Sequence, residues 1–176
     1  AVTEHLGMLR GTITLLNRQR NEILIEAAYG LSESQRERGR YKLGEGITGK
    51  VVQSGQPKVI PRISDEPEFL NRTGARKGQR YQDISFICVP IKIGNETIGA
   101  FSVDREFEGE SKLQDDLRIL SIVSSLIAQA VKIRQSIMEE REQLLEENSR
   151  LHRALEERFR PANIIGNSKA MQNVFD

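Results

Sequence analysis

Gly44-Glu45-Gly46-Ile47-Thr48-Gly49 fits G-x-G-x-x-G, the spacing at which a strand-to-helix turn cradles a dinucleotide pyrophosphate. That chemistry needs a buried strand before the glycines, a crossover helix after them, and an acid about 20 residues on. Ser34 to Arg40 is too polar for a buried strand, and Ser54-Gly55-Gln56-Pro57 stops any helix within about two turns. The glycines are therefore expected to make a tight turn into a short helix. His5 and His152 stand far apart, so no histidine-centred triad or metal cluster is visible. Cys88, between Ile87 and Val89, has the setting of a packed core thiol. A reactive, iron-binding or cofactor-anchoring thiol would need electropositive or metal-rich surroundings, and Asp65, Asp83 and Asp104 would supply them only if the fold gathered them. Arg72, Arg76, Lys77 and Arg80 make a basic loop around Gly74 and Gly78, either an anion clamp or a solvated surface. A loop of that length often lies over a binding site. No catalytic residue, metal ligand or cofactor is assigned, and the chain is expected not to be an enzyme.

The elements that must position these groups follow from periodicity. Met8 to Leu16 and Glu22 to Tyr29 read as a hairpin joined by a polar turn. Ser32 is placed to cap a short helix over Glu33 to Arg38. Ile47, Val51 and Val52 share one side of a short helix, and Lys58-Val59-Ile60-Pro61 is a short strand. Arg62 to Leu70 predicts a capped helical turn that buries Phe69 and Leu70, and Asn71 to Gln82 a surface loop. Ile84 to Ile93 and Glu96 to Asp104, turned by Gly94-Asn95, predict a second hairpin of central strands.

From Lys112 to about Phe159 the pattern is helical, with no Pro or Gly to interrupt it. One heptad frame places Leu113, Leu120, Ile127, Arg134, Arg141, Asn148 and Leu155 at a. It places Asp116, Val123, Ala130, Ile137, Leu144, Leu151 and Arg158 at d. The first half is apolar over a stripe wide enough to pack on a sheet as well. The second half narrows to a coiled-coil seam, with Asn148 as a register device and Arg134 and Arg141 weakening it. A homodimer is expected, the alternative being a long solvated helix.

The 176 residues carry 26 basic and 25 acidic side chains, a net charge of +1, so no global field argues for nucleic acid or a membrane surface. One cysteine rules out a disulfide framework within the chain and fits a reducing compartment. With no run long enough to span a bilayer, a cytoplasmic location is expected. Both ends look cut, so a fragment of a longer protein is expected.

Glu26-Ala27-Ala28-Tyr29-Gly30-Leu31, Arg40 to Val52, Ser85 to Ile91 and Ile98 to Asp104, in that order, resemble a GAF domain. Arg62-Ile63-Ser64, Phe69-Leu70-Asn71-Arg72-Thr73 and Ser85 to Pro90 resemble the regulatory domain of NifA-type nitrogen-fixation activators. Ile164 to Met171 is similar to the start of the AAA+ domain that follows there. The resemblance implies an α+β fold with a central antiparallel sheet of about six strands, flanking helices and a long C-terminal helix. It implies a GAF sensory domain over 1–133, a coiled-coil linker over 134–160 and a truncated AAA+ domain from 161 to 176. It also implies a ligand pocket, for which Arg62, Phe69, Arg72, Arg76, Phe86 and Cys88 are the expected contacts. The implied input is α-ketoglutarate, a PII-type signalling protein or a partner repressor. Engagement near Arg62 to Arg80 would shift the long helix on the sheet and so control an ATPase acting on RNA polymerase with the nitrogen-type sigma factor. A cyclic nucleotide, iron-held nitric oxide, or no ligand at all in a pure dimerisation module stay open.

Overall fold

A computed structural model describes residues 8–76 and 83–159. His5, Lys77, Arg80 and the expected AAA+ start at 161–176 lie outside the described residues. Strand β1 (Met8–Asn17) and strand β2 (Glu22–Tyr29) form the first hairpin, with one register shift between Ile13 and Thr14. Helix α1 (Glu33–Arg38) starts at Ser32 in a complete capping box. Gln35 N donates to Ser32 Oγ at 3.3 Å, and Ser32 N donates to Gln35 Oε1 at 2.8 Å.

Strand β3 (Arg40–Lys42) pairs Tyr41 with Ile23 of β2. The sequence pattern alone leaves this strand out, because only Tyr41 of its three residues is apolar. It lies at a sheet edge, where Arg40 and Lys42 stay exposed and charge is favoured. Helix α2 (Gly46–Ser54) follows directly. Gly44 and Gly46 have φ of 77° and 59°, and a Cβ on Gly49 would collide with the Lys42 carbonyl. Gly44 N donates to Gly49 O, and Gly49 N to Glu45 O, each at 3.0 Å. The three glycines thus close a turn on its own backbone, which is why their spacing imitates a phosphate cradle.

Strand β4 (Lys58–Ile60) is the other edge, and a 3-10 turn covers Ile63–Asp65. Helix does not extend to Phe69 and Leu70 as expected. Pro67 disfavours helical geometry at Glu66, which sits at φ −105° and ψ 102°. Ile63 takes the buried place, Phe69 is half-buried, and Leu70 is 44% exposed.

Strands β5 (Ile84–Ile93) and β6 (Glu96–Glu106) complete a six-stranded, wholly antiparallel sheet of order β3-β2-β1-β6-β5-β4. Alternation along these strands sorts two cores. On one face Phe86, Cys88 and Ala100 pack with Ile47, Val51 and Val52 of α2. On the other, Ile87, Val89 and Val103 pack with Leu113 and Leu120 of helix α3 (Glu110–Phe159).

The chain divides into two units, Ala1–Lys132 and Ile133–Asp176. Within the first, α3 buries Leu113, Asp116, Leu120, Ser124 and Ala128, a 3-4 spaced stripe. Ser124 Oγ donates to the Pro90 carbonyl at 2.6 Å. In the second unit the helix leaves Ile137, Leu144, Leu151 and Leu155 more than half exposed. Among the described residues no helix is long and apolar enough to cross a membrane.

Candidate functional site

The β6 residues Ala100, Ser102 and Asp104 face the α2 side, and there a cavity of about 40 Å³ lies against the sheet. Its walls come from β1 (Arg10, Gly11, Thr12), β3 (Tyr41), the start of α2 (Gly46, Ile47, Thr48), Phe86, Ser102, Asp104 and the segment Phe69–Arg76. Backbone turns shape that segment: Asn71 has φ 41°, and Gly74 N donates to its carbonyl at 2.9 Å. From α1, Arg38 Nη2 holds the Thr73 carbonyl at 2.9 Å.

Arg76 carries the electrostatics. It is 8% exposed, and its Nη2 donates to Asp104 Oδ1 at 2.5 Å. Its guanidinium lies 4.5 Å from the Phe69 ring centre and 5.7 Å from that of Phe86, the two rings meeting edge to face at 5.1 Å. Asp104, 1% exposed, also accepts from Arg10 Nη1 at 3.3 Å. One buried carboxylate therefore serves two guanidiniums. Arg76 Nε has no acceptor among the described residues, although it is fully enclosed. Thr12 and Ser102 share a hydroxyl hydrogen bond of 2.6 Å in the same wall. Burial raises the Tyr41 phenol pKa, and the nearby Arg76 and Arg72 charges pull it partly back.

Of the six expected contacts, the structure brings Phe69, Arg76 and Phe86 together around the cavity. Arg72 lies instead in a surface depression beside β3, ion-paired with Glu45. Arg62 stacks over Phe107, 5.2 Å from the ring centre, among residues of β4 and the following turn. Cys88 sits in the core under the wall, hydrogen-bonded by Thr48. Sequence reasoning passed over Arg10, Thr12, Tyr41 and Ser102, and weighed Asp104 only for iron. The available signal was alternation on β6, which puts polar Ser102 and Asp104 on one face of a central strand. Among the described residues no three His, Cys, Asp or Glu come within reach of one metal ion.

The opposite face carries the next residue of β6. Arg105, 1% exposed, is ion-paired with buried Asp116 of α3, and its Nη2 reaches Glu108 at 3.0 Å. Adjacent residues of one strand thus hold the cavity on one side of the sheet and the first turns of α3 on the other.

Burial pushes the Cys88 thiol up to about 12, against a small opposing effect of the Thr48 hydrogen bond. Native Cys88 is therefore expected to react with a thiol-selective disulfide at pH 8 at least about 1,000-fold more slowly than the unfolded chain. The folded pKa lies above the unfolded one, so this contribution is intact below about pH 8.5 and is lost as pH climbs. Stability should fall by about 1.4 kcal/mol per pH unit between about 9 and 12 through this group, measured against Cys88→Ala.

The family model described as GAF domain matches residues 1–131. Over 172 residues the chain is 45% identical to the nitrogen fixation protein VnfA of Azotobacter vinelandii, covering 97% of this chain and 33% of that protein. Over 175 residues it is 40% identical to a Nif-specific regulatory protein of Herbaspirillum seropedicae, covering 99% of this chain and 32% of that protein. The chain thus spans about a third of the length of the curated relatives it matches. Among solved structures it is similar to the GAF domain of A. aeolicus nlh2 in an inactive state. That match has a TM-score of 0.67 and 30% identity, over 76% of this chain and 79% of that one. Free methionine-R-sulfoxide reductase of Neisseria meningitidis shares the fold at 17% identity, with a TM-score of 0.61 over 77% of this chain and 74% of that one.

Proposed function

The chain belongs to the GAF domain family, and from that premise we propose that it is the signal-sensing domain of a Nif-type transcriptional regulator. The cavity against Phe69 to Arg76 takes a small effector. Its occupancy is passed through β6 to α3, and from there to a following AAA+ ATPase that remodels RNA polymerase carrying the nitrogen-type sigma factor. The observation that carries this reading is the Asp104–Arg105 pair: one residue is buried in the cavity wall and the next is ion-paired to α3. Identity to nitrogen-fixation regulators across nearly the whole chain supports the regulatory setting.

We read the site as non-catalytic, in keeping with the regulatory relatives. The one cysteine thiol is enclosed and held protonated, with the Thr48 hydroxyl as its hydrogen-bond partner, which fits sensing better than nucleophilic chemistry. The output side is a homodimer through the exposed Ile137, Leu144 and Leu151 row, which a second copy of the helix would cover at heptad spacing.

Two measurements on the 176-residue chain test these halves. Sedimentation equilibrium should show a dimer, with dissociation at least about 100-fold easier for Leu144→Glu, which puts a charge at a d position. A monomeric parent chain would remove the output. Thermal-shift screening with small effectors should raise the melting temperature. A dimer that no effector stabilises would instead support the ligand-free dimerisation module.

A further inference from the structure

We infer that a second copy of this chain lies parallel to α3 along a seam of 11-residue spacing that starts at Ile122, within the first unit. The inference rests on the dimer proposed above, and it moves the shared side of the helix away from the heptad frame.

Exposed apolar side chains set the spacing. Ile122, Ile133, Leu144 and Leu155 stand 11 residues apart, and each is more than half exposed. Leu126 and Ile137 follow the first two by four residues, and Leu151 follows Leu144 by seven, all again more than half exposed. At about 100° per residue these side chains fall within an arc of about 60° on the helix. The stripe that α3 buries in the first unit, Leu113 to Ala128, is centred about 150° away. Met138 and Leu145, also exposed, fall outside the arc and take no part in it.

A strict heptad row drifts by about 20° per repeat on a straight helix. It calls for Val123 and Ile127, which are already half-buried, and leaves Ile122, Leu126 and Ile133 in water. Eleven residues in three turns is about 3.67 per turn, close to the period of the helix itself, so two such helices pair with a slight right-handed twist.

Charge commits the occupant. Glu140 and Glu147 border the arc on one side, and Arg134 and Arg141 border it on the other. A parallel pair of identical helices brings opposite borders together, so Glu140 of each copy meets Arg141 of the partner subunit. An antiparallel pair would set like borders against each other, arginine facing arginine. Gln129 and Asn148 fall at seam positions, and in parallel register each amide meets its own counterpart, where two amides satisfy one another. A shift of α3 against its sheet then acts on the second copy within the sensory unit itself.

Single-cysteine variants of the 176-residue chain, treated with diamide, test the inference. The parent chain is the blank, because Cys88 is enclosed, and the four positions substituted are exposed, so the fold survives. Ile122→Cys, Ile133→Cys and Leu144→Cys should each cross-link to their own copy, at rates within about tenfold of one another. Arg134→Cys should react at least about tenfold more slowly, since a border position keeps its own counterpart out of disulfide reach. Cross-linking by Leu144→Cys and Arg134→Cys without Ile122→Cys and Ile133→Cys would keep the dimer, restore the heptad seam and overturn the inference. Cross-linking at a single position would overturn the parallel register. A chain that is monomeric in sedimentation and cross-links nowhere would overturn the dimer too, and leave the exposed row to a different protein. Glu140→Arg should weaken dimerisation about fivefold or more, and adding Arg141→Glu should recover most of that loss. No recovery would overturn the charge argument.

Discussion

Asp104→Asn is expected to cost the fold about 3–5 kcal/mol, the range for removing one partner of a buried charge pair. Asp104 is 1% exposed and faces Arg76 at 2.5 Å and Arg10 at 3.3 Å. Asparagine keeps the shape and one acceptor, but it removes the only negative charge among the described cavity walls. Arg76 then stays enclosed with its charge unanswered, which is the costly half of the change. For a domain of this size each kcal/mol moves the melting temperature by about 3–5 °C, so a fall of about 10–20 °C is expected. Asp115→Asn is the matched control. That carboxylate is exposed on α3, 4.0 Å from Arg118, and such surface pairs contribute about 0–1 kcal/mol. A fall of less than about 3 °C for Asp104→Asn would mean that Arg76 has another counter-charge.

Periodicity made most of this fold legible. The two hairpins, the Ser32-capped helix and the long helix follow from alternation, turn residues and an uninterrupted 3.6 pattern. The G-x-G-x-x-G match was separable from nucleotide chemistry by its flanks alone, and the backbone angles at Gly44 and Gly46 give the reason. Local pattern failed where three-dimensional position decides the matter. Strand β3 has a single apolar residue and exists because β2 offers it an edge. Among the basic side chains, nothing local distinguishes Arg76 from Arg72 four residues earlier. One is drawn inward by Asp104, 28 positions away, while the other pairs with Glu45 at the surface. Composition of the loop leaves the two arginines equivalent, and only the sheet separates the buried one from the exposed one. The role of Asp104 was hidden for the same reason, since its two guanidinium partners come from β1 and from the Phe69–Arg76 segment, both distant in sequence.

On the far face of β6, Asp116→Ala should also cost about 3–5 kcal/mol, because it strands Arg105. Replacing both members with apolar residues, Arg105→Met with Asp116→Leu, should return stability to within about 1–2 kcal/mol of the parent, since buried ion pairs are often matched by packed hydrophobes. Glu108 offers Arg105 a partial substitute at 3.0 Å, so Asp116→Ala marks the lower end of the range. The value of the double variant lies in separating stability from coupling. If the ion pair serves only to hold α3 down, an apolar replacement does the same work, and events in the cavity reach the helix as before. If the pair transmits, the two faces become independent once it is gone. Hydrogen exchange over residues 113–128 of α3 distinguishes these outcomes. Asp104→Asn should loosen that stretch in the parent background and leave it unchanged in the Met/Leu background. Equal loosening in both would assign transmission to the packed faces of β5 and β6. Because Asp104 and Arg105 are consecutive on a rigid strand, any shift that one cavity charge forces on β6 must move the other residue too. A methionine at position 105 would ride that motion equally well, but it lacks the charge that bonds Arg105 to Asp116 of α3.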